Sequence, residues 1–481
     1  MNHAACPTDL DNLIGNLVWS LPMAWPLRWA DATRGAQEKC GSCTLRAMRL
    51  GTGTVHGFWA RKLLADAGVD PNDLRLDVYE HVDRGIALAM SGFDSERSEL
   101  VAGAVAVASD ILRRWRTPRP ELVAGLVRCL ESRHPHARGD AAMVLARLVS
   151  AESTQDITAA VPALIAVASD SYDRDAGPAA LALARLGHPG VLDPVHRWLA
   201  SSSRLPFFQV TSLGQVLQPL VRCADELLPG IRRMLVDSAD DEGLRPVLTA
   251  LAAWGQAASA AVPELVPALA TRNVRWVCDV LGSIGAPAAP AAYTLDGFVR
   301  GVRQPPRHDG GILAPENGIR RWHGAQNAAW AHWRITGESK VFLAFLEDAP
   351  SRGLGYADLG RLAELGPQAT RCTTAVRPLL ESPGPWTRVQ AAYAWWRITG
   401  DTDAAVPVLL AALEPLKSGD ADEPCRAAVR YIAQIGAPAF AAAPLLEATL
   451  SSDRCFPVDV YPAARAALAA FGGSLQQTNV C

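Results

Sequence analysis

The amino-acid sequence predicts an all-α fold, a right-handed α-solenoid of stacked antiparallel helix pairs. Three observations lead to this prediction. The chain has 481 residues, two of its segments nearly repeat each other, and glycines follow helical stripes of apolar residues at recurring intervals. A chain of this length exceeds what one compact core normally holds, so it forms either several domains or an extended repeat array. The internal repetition favours the array.

The clearest repetition is a pair of segments, the twin segments, which lie 63 residues apart. The first reads NAAWAHWRITGES from Asn327, and the second reads QAAYAWWRITGDT from Gln390. One repeat unit alone cannot bury its apolar stripe, so neighbouring units must stack. Because stacking similar units requires similar stripes, we interpret the twin segments first as structure.

A glycine is predicted to end the first helix of most units. Apolar residues lie one, four and seven positions before this glycine, which is the spacing of one face of an α-helix. A glycine directly after such a stripe is typical of a helix C-terminus, where a residue with positive φ closes the last turn. The pattern occurs at Gly187, Gly255, Gly285, Gly366 and Gly436, and with one extra residue at Gly337 and Gly400 of the twin segments.

A second helix is predicted after each glycine, from alanine-rich segments that contain a proline. In a first helical turn a proline is harmless, because its missing N–H has no helical partner there and its φ is already helical. The small alanines allow the two helices to approach closely. The segments are AAVPALIAVA from Ala159, AAVPELVPAL from Ala260, AAVPVLLAAL from Ala404 and AAAPLLEATL from Ala441.

The unit of helix, glycine turn and second helix resembles the HEAT repeat, and specifically the short bacterial HEAT-like repeat described in phycobilisome lyases. RVQAAYAWWRITGDTDAAVPVLLAALEPL from Arg388 carries the whole pattern. The resemblance implies an armadillo-like helical solenoid over residues 96–481, with weaker units at 99–131 and 206–237 and roughly nine to eleven helix pairs. The fold itself is compatible with many functions.

Residues 1–95 lack this unit and are predicted to be an atypical N-terminal cap or a small helical region. The exposed apolar end of a solenoid must be covered, and the tryptophans of WSLPMAWPLRWAD from Trp19 are suitable for this role. Cys40 and Cys43 have the spacing of half a zinc site or of a redox pair. Since no second pair of this kind follows, ordinary thiols are expected, and no metal or cofactor is predicted.

A loop insertion is predicted at residues 301–324. The step from Gly285 to Gly337 is 52 residues, against 29 to 36 for neighbouring steps, and the surplus is rich in proline and glycine. Loops of this length are usually either disordered or functional, so the segment is either a solvated insertion or a binding loop over the concave groove. The candidate binding residues in and after it are Arg303, Arg307, His308, Asp309, Glu316, Arg320, Arg321, Trp322, His323, Trp330 and His332.

His332 is a candidate because it occupies a stripe position. The second twin segment has Trp395 there, and other units have leucine or isoleucine. A histidine at such a position is either a hydrogen-bonded core residue or a ligand. The neighbouring tryptophans and His323 favour a binding role.

Composition limits the function classes. With 46 basic and 49 acidic residues the net charge is −3, so the chain as a whole does not attract nucleic acid or a membrane surface. The N-terminus lacks the basic start of a secretory signal, and ten cysteines at wide spacings are typical of reduced thiols. A cytoplasmic location is therefore expected.

We expect a non-catalytic scaffold or adaptor that binds a protein or peptide partner along the concave face of the solenoid, without catalytic residues and without a membrane. The alternative is a nucleic-acid-binding protein, or an enzyme similar to the HEAT-like DNA glycosylases, which use a basic groove with aromatic residues. Local basic runs such as RRWRTPR from Arg113 favour the alternative, and the acidic balance of the whole chain opposes it.

Overall fold

The computed structural model describes residues 82–132, 135–149, 155–170, 175–200, 211–237, 241–270, 274–300, 315–347, 354 and 356–478. The regular elements in these residues are helices, which confirms the predicted all-α class. The chain divides into two compact units, one of residues 1–195 with 206–212 and one of residues 196–205 with 213–481.

The first unit contains six helices among its described residues, and a seventh, α7 (Leu192–Ala200), contains the boundary between the units. The six are α1 (Val82–Phe93), α2 (Ser98–Arg114), α3 (Pro120–Leu130), α4 (Pro135–Leu148), α5 (Val161–Ser169) and α6 (Ala176–Leu186). α2, α4 and α6 pack side by side, and α1, α3 and α5 form the adjoining row.

The second unit continues the same alternation of first and second helices. Its first helices are α8 (Leu213–Leu217), α10 (Asp241–Trp254), α12 (Val274–Ile284), α14 (Pro315–Thr336), α16 (Tyr356–Leu365), α18 (Pro385–Thr399), α20 (Glu423–Ile435) and α22 (Val460–Thr478). Its second helices are α9 (Ala224–Asp237), α11 (Val262–Ala268), α13 (Ala292–Val299), α15 (Lys340–Glu347), α17 (Thr373–Val376), α19 (Thr402–Ala411) and α21 (Ala443–Ser451).

Both weaker units of the sequence correspond to helix pairs. α2 and α3 form the unit predicted at residues 99–131, and α8 and α9 lie within the unit predicted at 206–237. α1, at the end of the predicted N-terminal region, packs against α2 and α3. The remaining residues of that region, with Cys40, Cys43 and the tryptophans from Trp19, lie outside the described residues.

All seven glycines of the repeat pattern have positive φ, between 55° and 81°. At Gly400, for example, φ is 75° and the backbone N–H donates to the carbonyl oxygen of Trp396, which closes the last turn of α18. The prediction that these glycines end first helices is confirmed, because a side chain with a Cβ is disfavoured in this conformation.

Short 3₁₀ turns lie between many helices and were not predicted. They are Thr158–Ala160, Pro189–Val191, Gln218–Cys223, Gly255–Ala261, Ala286–Ala291, Gly366–Cys372, Arg377–Glu381, Glu414–Ser418 and Ala437–Ala442. Arg377–Glu381 and Glu414–Ser418 follow second helices, and the other seven turns lead into second helices. Three of those helices have the predicted proline in their first turn, at Pro162, Pro263 and Pro444. Pro407 is the exception, since it lies inside α19.

α19 begins before its proline because Asp401 caps it. The Asp401 carboxylate accepts hydrogen bonds from the backbone N–H groups of Asp403 at 3.0 Å and Ala404 at 3.2 Å, and from the Trp395 indole N–H at 3.0 Å. The indole bond, followed by the backbone bonds, holds the pKa of Asp401 below its usual value of 3.8. A side chain that accepts hydrogen bonds from the first backbone N–H groups of a helix favours the start of the helix at that residue.

We expect Asp401→Ala to lower the free energy of unfolding by about 1 kcal/mol, the usual worth of such a cap. Because the folded-state pKa is depressed, the stabilisation is present above the unfolded-state pKa and is lost as pH falls through the folded-state pKa. Urea unfolding at several pH values measures this. Glu338→Ala, the matching position of the first twin segment, is the control and should change stability little; an equal loss in both variants would contradict the cap.

Part of the predicted loop insertion is helical. α14 begins at Pro315, so residues 315–324 extend the helix that carries the first twin segment. Proline suits a first helical position, so Pro315 starts a helix within the segment whose prolines and glycines predict a loop. Residues 301–314 lie outside the described residues.

Candidate functional site

Two of the eleven predicted binding residues, Trp330 and His332, have described side chains. Five others lie on the first turns of α14, and nothing is described of their side chains. They are Glu316, Arg320, Arg321, Trp322 and His323. Four lie outside the described residues: Arg303, Arg307, His308 and Asp309.

Trp330 is buried between the neighbouring first helices α12 and α16. One side of its ring lies against Gly282 of α12, where an added Cβ would come within 2.3 Å of ring atom Cζ3. The guanidinium carbon of Arg361 from α16 lies over the ring, 5.0 Å from its centroid. The indole N–H donates to Glu364 at 3.3 Å. A tryptophan in this setting is a packing residue with a satisfied polar edge.

Arg361 joins three first helices. Its Nη2 donates to Oδ1 of Asn327 on α14 at 2.5 Å and lies 3.5 Å from Oδ1 of Asp279 on α12. Burial lowers the pKa of Arg361, and the carboxylate of Asp279 opposes that shift. Burial likewise raises the pKa of Asp279, and Arg361 opposes it. Each charge is therefore desolvated and held mainly by the other.

We call Asp279, Gly282, Asn327, Trp330, Arg361 and Glu364 the Trp330 cluster. A second buried bond flanks it, from the Gln326 amide to Oδ1 of Asp358 at 2.6 Å. Arg334 also reaches α12, where its Nε donates to the carbonyl oxygen of Gly282 at 3.4 Å. The cluster is a connected polar network, in which removing one member leaves another buried and unpaired.

The second twin segment builds a matching Tyr393 cluster, made of Gln390, Tyr393 and Tyr431. The ring of Tyr431, from α20, stacks on that of Tyr393 with centroids 3.8 Å apart and planes 6° from parallel. The Tyr431 hydroxyl donates to Oε1 of Gln390 at 3.1 Å. Burial raises the pKa of Tyr431.

The two clusters share one design. Asn327 and Gln390 hold matching positions, as do Trp330 and Tyr393, and Arg361 and Tyr431 each lie five residues before their glycines. In both, a long side chain of the next first helix covers an aromatic ring and donates to a buried amide. Sequence reasoning missed this because it compared the identical positions of the twin segments; the signal was in positions that differ but keep their chemistry.

His332 is not part of the Trp330 cluster. It is partly exposed, and the bond near it runs from the Thr336 hydroxyl to the His332 carbonyl oxygen at 2.8 Å. Trp333, the neighbouring aromatic residue, stacks on Phe342 of α15 with centroids 5.8 Å apart. Trp330 and His332 are two residues apart on α14, so their side chains leave the helix on different faces and have different neighbours.

Several arginines of the local basic runs have acidic partners. Arg113 and Arg114 contact Oδ1 of Asp110 at 2.7 and 3.0 Å. Arg232 forms two bonds with Glu264 of the next second helix, at 2.8 and 3.0 Å. Charges that are neutralised within the fold contribute less to phosphate binding.

Exposed apolar side chains lie mainly on the side of the second helices. Of the seven large exposed ones in the described part of the chain, five belong to second helices or to the turns that lead into them. Tyr293 of α13 is the most exposed, at 83%. The five are Val221, Val236, Tyr293, Val341 and Phe440.

Within the described residues, no group of three or more His, Cys, Asp or Glu side chains could hold a metal ion. Among the same residues, no helix combines the length and apolar character needed to cross a membrane.

No known protein-family model matches the chain, and no curated protein matches it either. Among solved structures, yeast importin-β (Kap95p) is similar with 12% identity over 88% of this chain and 67% of that one, at a TM-score of 0.45. Kap121p bound to Pho4p is similar with 15% identity over 86% and 48%, at 0.36. An engineered protein is similar with 18% identity over 81% and 99%, at 0.32.

The repeats of this chain themselves show its fold. In each unit, first helices alternate with second helices that pack in the adjoining row. Seven of the first helices are closed by glycines of positive φ. This repeated construction is that of an all-α solenoid of HEAT or armadillo type.

Proposed function

We propose that the protein is a non-catalytic scaffold that binds an extended segment of a protein partner along its second helices. The observation that carries this proposal is the one-sided distribution of exposed apolar side chains. First helices cover their aromatic residues with neighbouring repeats, whereas second helices present Val236, Tyr293 and Val341 to solvent. Exposed aromatic residues are frequent anchors of protein interfaces.

The arrangement suits an extended partner. Three second helices, α9, α13 and α15, each present one exposed apolar side chain, so contacts add along a segment without any special catalytic geometry. Charged pairs such as Arg232 with Glu264 lie between second helices and supply a polar rim. We also propose that the repeats are of the bacterial, phycobilisome-lyase type. We further propose that the protein is located in a reducing cytoplasm, which the six free cysteines of the described residues support.

Site-specific photo-cross-linking tests the proposal. Benzoylphenylalanine replaces Tyr293 or Val236 on second helices and, as matched controls, the exposed first-helix residues Thr249 or Ala253. After irradiation in lysate of the source cell, we expect the same cross-linked protein from both second-helix positions and not from the controls. The product should survive nuclease treatment. Nuclease-sensitive products would establish the nucleic-acid alternative. Equal labelling of all four positions would show that the partner does not bind specifically along the second helices.

Replacing Tyr293 gives the quantitative prediction. Once the cross-linked partner is identified, Tyr293→Ala should weaken its binding about tenfold, the effect expected of an aromatic anchor. Tyr293→Phe keeps the ring and should retain most of the affinity. Because the side chain is 83% exposed, neither change should alter the unfolding temperature noticeably. Unchanged affinity of the alanine variant, measured by calorimetry, would remove Tyr293 from the interface.

A further inference from the structure

Two exposed arginines lie at matching positions on neighbouring first helices of the second unit. Arg245 of α10 and Arg275 of α12 each lie ten residues before the glycine that follows their helix. The two helices pack against each other, and both arginine side chains are exposed. Because α10 and α12 stack as equivalent repeats, their matching positions lie at the same end of the helix pair.

The ring of Trp276, on α12, joins the two arginines. The guanidinium carbon of Arg245 lies over this ring, 4.6 Å from its centroid, and that of Arg275 lies over it at 5.2 Å. Since cation–π attraction holds both groups over one indole, their guanidinium carbons lie within about 10 Å of each other. The ring is half-buried, so it is a fixed support for two exposed cations.

Neither guanidinium has a hydrogen bond or an ion pair with another described residue. The contacts described for Arg245 and Arg275 are those with the Trp276 ring. Asp279 lies one turn after Arg275, but Arg361 lies 3.5 Å from its carboxylate. Burial raises the pKa of Asp279, and Arg361 opposes that shift more strongly than Arg275 does. Since each guanidinium has five N–H donors in a fixed fork, both retain donors for a ligand.

A third arginine shows which group this repeat position binds. Arg426 of α20 also lies ten residues before its glycine, Gly436. Its Nε donates to both carboxylate oxygens of Asp459, the residue before α22, at 2.9 and 3.0 Å. There a neighbouring segment of the chain provides the carboxylate. At Arg245 and Arg275 the described residues provide none, so the same position can accept a carboxylate from another molecule.

Two cations on one aromatic support favour an acidic peptide over a nucleic acid. Arginine and tryptophan are enriched among the residues that contribute most to protein–protein binding. A guanidinium also matches a carboxylate through two parallel hydrogen bonds. Tight binding of nucleic acid instead needs several clustered phosphate contacts. Alternate side chains of an extended peptide point the same way and are about 6.8 Å apart, which suits two guanidiniums on one ring.

We propose that Arg245, Trp276 and Arg275 form a binding site for an extended acidic segment of a protein. Two carboxylates at alternate positions of the segment each pair with one guanidinium, and the Trp276 ring sets the spacing of the guanidiniums. The site lies on first helices. It does not depend on the proposed binding along the second helices.

Fluorescence anisotropy with a labelled model peptide tests the site in the full-length chain. The probe is a fluorescein-labelled peptide of alternating glutamate and serine, and the control peptide has glutamine in place of glutamate. At low salt, where exposed charges are screened least, we expect the glutamate peptide to bind and the glutamine peptide not to bind. The double variant Arg245→Gln/Arg275→Gln should lower the affinity for the glutamate peptide about tenfold. Equal affinity of wild type and this variant, or equal binding of both peptides, would overturn the proposal.

Matched variants separate this site from general surface charge. Arg233→Gln removes another exposed arginine, on α9, and should leave the affinity unchanged; a loss as large as that of the double variant would overturn the site. Tyr293→Ala should also leave it unchanged, so this site and the second-helix surface can fail separately. A labelled single-stranded oligonucleotide is the last probe. If it binds more tightly than the glutamate peptide and is lost in the double variant, the ligand is nucleic acid and the proposal is wrong.

Discussion

Replacing Gly214 with alanine is expected to destabilise the second unit by about 3 kcal/mol, at the upper end of what overpacking costs. Gly214 lies on α8, where an added Cβ would be 2.0 Å from the carbonyl oxygen of Pro246 and 2.4 Å from its carbonyl carbon. Both atoms belong to the main chain of α10, so no rotamer change relieves the collision. One of the two helices must move, and the apolar contacts between them are lost.

Gly297→Ala is the matched control for Gly214→Ala. Gly297 also lies within a helix, α13, but no atom would be within 4 Å of its added Cβ. Alanine should therefore stabilise the protein there, by up to about 1 kcal/mol, since it has less backbone freedom to lose on folding. Urea unfolding followed by circular dichroism compares the two variants. Destabilisation of similar size in both would mean that the close approach of α8 and α10 is not the cause.

Replacing Arg361 with methionine is expected to cost about 3 kcal/mol, because it breaks a buried ion pair and leaves one charge without a partner. Methionine keeps much of the side-chain volume over the Trp330 ring. It cannot donate to Asn327 or compensate the carboxylate of Asp279, both of which contact the guanidinium. The variant therefore isolates the polar contribution of Arg361 from its packing contribution.

The pH dependence of this loss identifies its cause. Burial raises the pKa of Asp279 above its usual 3.8, so the folded state holds the proton more tightly than the unfolded state. The stability contributed by the protonated carboxyl is full below the unfolded-state pKa and is lost as pH rises through the folded-state pKa. Without Arg361 the folded-state pKa of Asp279 rises further. The pH range in which the protonated carboxyl stabilises the folded state therefore extends to higher pH. The difference in stability between wild type and Arg361→Met should therefore be smaller near about pH 4.5 than at about pH 7.

Arg300→Met is the control for a merely electrostatic surface effect. Arg300, the residue directly after α13, pairs with Asp296 of that helix at 3.0 Å, but its side chain is 71% exposed. Water screens such a pair, and its removal should change stability little at either pH. A pH-independent loss in Arg361→Met, equal at both values, would mean that packing over Trp330 rather than the charge of Asp279 causes the destabilisation.

The sequence by itself determined the repeat unit. Helical stripes, the glycines that end first helices and the prolines near the start of second helices all act over a few residues, so their effect can be read locally. All seven glycines have the expected positive φ. The errors were local as well: Pro407 lies inside its helix because Asp401 caps it earlier, and α14 starts at Pro315 within the predicted loop.

Only the tertiary structure decided what joins one repeat to the next. Asn327 and Arg361 are 34 residues apart, and their hydrogen bond depends on how α14 and α16 lie against each other. The same holds for the stacking of Tyr431 on Tyr393, which brings together rings from α20 and α18. A stripe pattern states which face of a helix is apolar, but it does not state the spacing between helices. That spacing results from the volumes and polar partners of side chains brought together from different units, a property of the packed chain alone.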